Sequence, residues 1–350
     1  MKLTSREQLA AWLDALMERA TVIAPRQVEC GGGSGTHLLL YQPVASSAEV
    51  VFDFQRTAMS PKGYFLPSTE VLFEIEKRSN EVTLDEALPQ DEQVLFAIRP
   101  CDARGLRVLD ALLVEHEPAD AYYAQRRRNT TLVGLACPHL WPECFCTAIG
   151  GAPDDSADVD IMLYEVDGGY LVSEITEKGT ALLAGLNAEE TDQPAPVSDR
   201  SGPSVPVLAP EAWPALFNEL YWARLSDRCL SCHACTYVCP TCRCFDVRDY
   251  TRAAGPNGIH IERLRSWDSC MAAAYRRIAG GHNPRPSKMH RLRNRYYCKF
   301  NYCPQDFGAV ACVGCGRCIA VCPVGIDITE MLGEVAALAA TLEERGKGKG

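Results

Sequence analysis

Two stretches of the chain carry cysteines at a spacing that suits inorganic clusters. Cys229-Leu230-Ser231-Cys232-His233-Ala234-Cys235-Thr236-Tyr237-Val238-Cys239-Pro240 reads Cys-x2-Cys-x2-Cys-x3-Cys-Pro, and Cys312-Val313-Gly314-Cys315-Gly316-Arg317-Cys318-Ile319-Ala320-Val321-Cys322-Pro323 repeats it. Three thiolates from one short loop reach three corners of a 4Fe-4S cubane. The fourth, behind a turn ended by Pro, points away and in two-cluster ferredoxins ligates the other cluster. The spacing therefore assigns Cys229, Cys232, Cys235 and Cys322 to a first cubane, and Cys312, Cys315, Cys318 and Cys239 to a second. The competing reading is a zinc-binding interaction module built on a pair of zinc ribbons, but these group Cys-x2-Cys units in twos. Interchanged ligands hold two cubanes close enough for electron hopping, which conducts electrons and remakes no bonds.

Ten of the 18 cysteines stand outside these runs. Cys101 follows the apolar run Val94-Leu95-Phe96-Ala97-Ile98, and Cys137 follows Thr131-Leu132-Val133-Gly134-Leu135-Ala136. Both fall at the carboxyl ends of strands, where open α/β sheets bind ligands. Cys144 and Cys146, on the loop leaving that rim, add two more thiols. The four can hold a third metal site, as an additional iron-sulfur cluster or a zinc ion, or they are four small buried side chains. His139 reads as a loop residue there. Cys242, Cys244, Cys270, Cys298 and Cys303 lie in the roughly seventy-residue segment between the runs. Either Cys242, Cys244, Cys270 and one other thiol bind a further cluster, or the group packs as buried thiols that tune the cubanes. Cys30 has no assigned role.

The elements that must position these thiols divide near residue 205, in the polar, Pro-rich stretch Glu189 to Pro210. Residues 1–205 are expected to form an α/β domain, and residues 206–350 an α-rich, two-cluster ferredoxin-like domain with a long insertion between the Cys runs. Ser5 is placed to cap a helix reaching about Glu18, with Leu9, Trp12, Leu13, Leu16 and Met17 on one face. Strands are expected at His37–Tyr41, Val50–Phe54, Val94–Ile98 and Thr131–Ala136. An amphipathic helix is expected over Asp102–His116, and a hairpin turns at Asp167-Gly168-Gly169. Gly280-Gly281-His282 reads as a helix stop, and Arg126-Arg127-Arg128 as a solvated face.

With 350 residues, 47% hydrophobic and 23% charged side chains, the chain is neither disordered nor in need of disulfide staples. Met1 to Gln8 carries no secretory pattern, so a reducing cytoplasm is the expected setting. No apolar run approaches membrane-spanning length. The net charge of -10 argues against nucleic acid as a partner. The basic run of Arg285, Lys288, Arg291, Arg293, Arg295 and Lys299 is expected to compensate cluster charge or to dock a partner. Cys30-Gly31-Gly32-Gly33-Ser34-Gly35 lacks the Gly-x-Gly-x-x-Gly order. Flavin and nicotinamide are thus expected elsewhere, and no acid, base or nucleophile constellation makes the chain catalytic by itself.

Several landmarks together resemble one family along nearly the whole chain. These are Arg99-Pro100-Cys101-Asp102-Ala103-Arg104-Gly105-Leu106, Cys144-Phe145-Cys146-Thr147, Cys229 through Cys244, Trp267-Asp268-Ser269-Cys270-Met271, Ala279-Gly280-Gly281-His282 and Cys312 through Pro323. The chain resembles the beta subunit of soluble NAD(P)-linked nickel-iron hydrogenases, or sulfhydrogenases, a family shared with the electron-transfer subunit of anaerobic sulfite reductase. Arg293-Asn294-Arg295-Tyr296-Tyr297-Cys298-Lys299-Phe300 points to the hydrogenase branch. His233 departs from the small residue that relatives often carry. The resemblance implies a cytoplasmic heteromer in which this chain relays electrons between a catalytic partner, nickel-iron or sirohaem, and a flavin- and NAD(P)-binding subunit.

Overall fold

The computed structural model describes residues 1–29, 35–256 and 258–347; Cys30 to Ser34 lie outside the described residues. Ser5 ends β1 (Lys2–Ser5) and caps α1 (Arg6–Met17), accepting from the Gln8 amide while the Gln8 side chain accepts from the Ser5 amide. There follow β2 (Thr21–Glu29), β3 (His37–Pro43), β4 (Thr69–Arg78), β5 (Glu81–Glu86), β6 (Gln93–Ile98), α2 (Pro100–Leu113) and α3 (Ala121–Asn129). Then come β7 (Thr130–Leu135), β8 (Ile161–Val166), β9 (Gly169–Glu174), α4 (Glu177–Leu182) and β10 (Glu189–Glu190).

One sheet of eight strands runs β10-β1-β9-β8-β7-β6-β2-β3, with parallel pairing of β2 to β6, β6 to β7 and β7 to β8. Parallel strands are covered on both faces, and β6 shows how. Its Val94 and Phe96 pack with Leu9, Trp12 and Leu13 of α1. Leu95 and Ile98 pack on the other face with Leu106 and Leu109 of α2 and Tyr123 of α3. The N-terminal region is thus a mixed sheet between helices. Val50 to Phe54 is not a strand: it is irregular, joined to the sheet by the Val51 amide donating to the Pro25 carbonyl of β2 at 2.8 Å, and Val50 and Phe54 bury their side chains in the α1-side core.

The rest of the chain carries α5 (Tyr221–Arg228), α6 (Ala234–Tyr237), β11 (Phe245–Gly255), β12 (Gly258–Trp267), α7 (Lys288–Tyr297), a π-helix at Cys298–Tyr302, α8 (Cys303–Phe307), α9 (Arg317–Ala320) and α10 (Ile328–Lys347). Trp213, Trp222, Tyr296, Tyr297 and Phe300 form an aromatic core with Met331, Leu332 and Val335 of α10. The segment holding Gly280-Gly281-His282 is irregular, not a helix end. Both glycines have φ of 84°, in a turn closed by the Ile278 amide on the His282 carbonyl at 2.9 Å. Among the described residues no helix is long and apolar enough to cross a membrane.

β12 pairs antiparallel with β4, giving a second sheet β11-β12-β4-β5 from segments on either side of residue 205. Arg265 of β12 locks this joint. Its Nε donates to Glu70 at 2.7 Å and its Nη1 donates to Asp120, while Arg126 donates to the other Glu70 oxygen at 2.6 Å. Arg126-Arg127-Arg128 is therefore not simply a solvated face, since Arg127 also grips Asp110 at 2.9 Å. Replacing Glu70 strips the half-buried Arg126 of its carboxylate and leaves the buried Arg265 with Asp120 alone, so Glu70→Ala is expected to lower stability by about 3 kcal/mol. Denaturant unfolding checks this, and a change below about 1 kcal/mol would contradict the assigned role.

Candidate metal centres

Three groups of thiols meet in the interior. In the first, the chain leaves α5 at Cys229 and passes Ser231 and His233, both left-handed at φ of 54° and 65°. A non-glycine residue seldom adopts that conformation; here it folds the loop tightly enough to bring Cys229, Cys232 and Cys235 together. Cys322, from the second run, joins them on one pocket, walled by Met271, Leu292 and Tyr296. Backbone amides already address the sulfurs, Ser231 N–H to Cys229 at 3.3 Å and Ile326 N–H to Cys322 at 3.2 Å. Arg295 also lines the cavity, and its Nε is buried without any protein acceptor. A buried cation with an unused donor fits an anionic occupant bearing sulfur acceptors.

In the second group, Cys239 from the first run sits within electrostatic reach of Cys312 and Cys315. The buried Lys299 ammonium donates to Cys239 Sγ at 3.2 Å, to Thr241 at 3.1 Å and to the Ala311 carbonyl at 2.8 Å. A hydrogen bond from Cys242, followed by Lys299 and Lys62, holds the Cys239 thiol well below its ordinary range. Burial pushes Cys312 up to about 11 and Cys315 up to about 12. Cys318 lines the first cavity as well, so the two groups adjoin.

The third group lies on the rim of the large sheet. A bulge at Ala97, with φ of 57°, shifts the β6–β7 register and sets the course of the chain into α2. Cys101 then sits in the first turn of α2 rather than before it. Cys101, Cys137, Cys144 and Cys146 all line one pocket, together with Arg99, His139 and Trp141. His139 packs its ring on Trp141 at 4.9 Å. Arg99 donates to the Leu135 and Ala136 carbonyls at 3.2 and 2.8 Å and lies over the Phe54 ring, yet its buried Nε has no partner. Burial pushes Cys137 up to about 12 and Cys146 up to about 11, and lifts Cys101 well above the thiol range. Burial thus disfavours the thiolate form of Cys101, Cys137 and Cys146, and a bound metal would supply the positive charge that thiolates there require.

Backbone contact couples the third group to the second. The Phe145 amide donates to the Gly314 carbonyl at 2.9 Å. Gly314 (φ 66°) and Gly316 (φ 74°) approach so closely that a Cβ would lie 2.5 Å from Cys146 N and 2.5 Å from Glu143 O. Arg317 then reaches across to Asp102, beside Cys101, with two bonds of 2.6 and 2.7 Å, both side chains nearly inaccessible. Sequence reading did not single out Lys62 or Arg99. Lys62, also buried, donates to the Thr236 and Cys242 carbonyls at 3.3 and 3.0 Å and lies over the Trp267 ring; nothing in its neighbourhood in sequence marks it. Of the basic run, Arg291, Arg293, Arg295 and Lys299 turn inward, the last two onto the cysteines.

Cysteine loops gathered around pockets beside buried cations define an iron-sulfur protein. Residues 228–326 match the family model described as a 4Fe-4S dicluster domain. Over 311 residues the chain is 35% identical to the sulfhydrogenase 2 subunit beta of Pyrococcus furiosus, covering 84% of this chain and 88% of that one. The chain belongs to the sulfhydrogenase beta-subunit family. No solved structure matches it.

The Asp102–Arg317 pair gives a test of how firmly the groups are joined. Asp102→Ala should destabilise by about 3–5 kcal/mol because Arg317 is left charged and dry. The double variant with Arg317→Ala should lose clearly less than the two single losses added together, as a double-mutant cycle in denaturant would read; strict additivity would mean the two do not interact.

Proposed function

We propose that this chain is the iron-sulfur electron-transfer subunit of a cytoplasmic multi-subunit oxidoreductase. It relays electrons between a nickel-iron hydrogenase module and a flavin- and NAD(P)-binding subunit, and is not catalytic alone. Cys229, Cys232, Cys235 and Cys322 hold one 4Fe-4S cluster and Cys312, Cys315, Cys318 and Cys239 a second. Cys101, Cys137, Cys144 and Cys146 hold a third on the sheet rim. The observation that supports the reading is that Cys322, from the second run, lines the cavity of the first, while Cys239 lies within electrostatic reach of Cys312 and Cys315. Among the described residues no three His, Cys, Asp or Glu side chains converge on a point that would hold one ion. What favours clusters over zinc is the triplet spacing followed by Cys-Pro, since zinc ribbons group Cys-x2-Cys units in twos.

The chain's own groups do the tuning. Amides on Cys229 and Cys322, the Lys299 ammonium on Cys239 and the guanidinium groups of Arg295 and Arg99 all favour added negative charge. Such donors raise reduction potentials. Chaining the three groups through adjoining loops provides a path for single electrons, and the sulfhydrogenase relative favours hydrogenase over sulfite reductase as the complex served.

Purified without oxygen, the full chain should be brown and carry iron and acid-labile sulfide in near-equal amounts; a colourless protein with stoichiometric zinc would overturn the proposal. Cys322→Ala should remove about four irons, those of the cluster held by Cys229, Cys232 and Cys235, in an otherwise folded protein. Loss confined to the signal of the Cys312 cluster in paramagnetic resonance would refute the interchange. Pull-down from the native host should bring down nickel with the partners, whereas sirohaem would assign the chain to a sulfite reductase.

A further inference from the structure

Cys298 and Cys303 belong to none of the three sites, and their sulfurs lie 3.8 Å apart. Cys298 opens the π-helix, and the Cys303 amide donates to its carbonyl across one full turn. Residues five apart on an α-helix point roughly 140° away from each other, so the meeting depends on the wider π turn, a form often found at functional sites. The helices on either side, α7 and α8, are α-helical. The irregularity falls where it sets the two thiols face to face.

Arg243 stands over the pair. Its Nη1 lies 3.6 Å from Cys303 Sγ and 4.0 Å from Cys298 Sγ, and its guanidinium sits over the Phe307 ring of α8. Among the described residues its hydrogen-bond acceptors are these two sulfurs, with no carboxylate beside them. A neutral thiol is a weak acceptor, whereas a thiolate next to a guanidinium is the nucleophilic form of cysteine. The cation therefore favours ionisation of one member of the pair.

The two thiols differ in access. Cys303 is 1% exposed and packs with Val108 and Leu112 of α2 and with Ala311, while Cys298 keeps part of its surface. Thiol reactivity depends on access. This arrangement admits a small oxidant at Cys298 and keeps a redox protein away from Cys303.

We propose that Cys298 and Cys303 form a reversible dithiol–disulfide couple that reacts with small hydroperoxides through Cys298, with Arg243 as its charge partner. The Cys298 thiolate attacks the peroxide: an S–O bond forms as the O–O bond breaks, giving a sulfenic acid. The leaving alkoxide or hydroxide takes up the proton that the thiol released. Cys303 then attacks the sulfenic sulfur and expels water, and the sulfurs close from 3.8 Å to about 2.05 Å. Two thiols and one hydrogen peroxide thus give one disulfide and two waters, with two electrons passing from sulfur to oxygen. A small dithiol reverses the reaction by exchange. Lys299 follows Cys298 and donates to Cys239 at 3.2 Å, so the turn that closes also carries the ammonium of the second group. The couple needs the fold and not a bound cluster.

The test treats the full chain, purified without oxygen, with an equimolar amount of hydrogen peroxide, followed by alkylation, trypsin and mass spectrometry. Trypsin cuts after Lys299, between the two cysteines, so the disulfide joins two peptides that dithiothreitol separates. That linked pair should form with the iron content unchanged, fragmentation should place its bond between Cys298 and Cys303, and Cys298→Ser and Cys303→Ser should abolish it. Arg243→Gln should form it about tenfold more slowly; an unchanged rate would overturn the part given to Arg243. In the parent protein, which needs no variant to fold, two cysteines that both remain open to alkylation overturn the proposal. A bond from Cys298 to Cys312 or Cys315 does the same, as does one seen only after iron has been released. A chain that carries no iron should still form the bond, so failure of the electron-transfer reading would leave this test intact.

Discussion

The buried pair of Arg317 and Asp102 is the contact on which the arrangement of sites depends. Arg317 belongs to the second cysteine run and Asp102 to the first turn of α2, next to Cys101. Both are almost wholly inaccessible, and Arg317 spends its remaining donors on the Thr57 carbonyl at 2.9 Å and hydroxyl at 3.1 Å. A buried ion pair adds little net stability compared with apolar packing, but it tolerates only one geometry. That geometry is what lets Gly314 and Gly316 lie against the loop of Cys144 and Cys146. A sheet rim and a ferredoxin-type loop, each with its own thiols, thereby become one continuous surface.

The second feature is the sign of the interior. Arg291, Arg295, Lys299 and Lys62 are buried in a chain whose net charge is -10. The surface carries the excess of acid and the centre the excess of base. Such an inversion is expensive in an apo protein, because dry cations without counter-charge are disfavoured. It becomes favourable once anionic clusters occupy the cavities, so folding and cofactor loading are thermodynamically linked.

Much of the site was legible because cluster ligands come from short local runs. The spacing of Cys229 to Cys239 and of Cys312 to Cys322, the Ser5 cap, the β6–α2 turn and the β8–β9 hairpin are all local signals, and the cap, the turn and the hairpin appear where the residues indicated. What the sequence hid is long-range. β12 pairs with β4 across almost two hundred residues, and the alternation in each strand, Phe73-Glu74-Ile75-Glu76 and Ile259-His260-Ile261-Glu262, does not say which strand is its partner. Val50 to Phe54 shows the opposite failure: a strand-like run whose apolar side chains are satisfied by α1 without any ladder. Lys62 is invisible in sequence for the same reason, since its neighbours Cys242 and Trp267 are brought to it only by that pairing.

The exchange of Cys239 and Cys322 between the two runs also has a topological meaning. With the proposed ligands, a cluster joining Cys235 to Cys322 would close a loop of more than eighty residues, and a second would close nearly the same loop from the other side. For a covalent cross-link, closing a loop near that length removes about 4–5 kcal/mol of chain entropy from the unfolded state. The β11–β12 hairpin, the π-helix and the inward-turned arginines all lie inside the doubly closed loop. Clusters held in this way would act as reversible cross-links, so that the redox groups of the proposed function would also be staples of the fold.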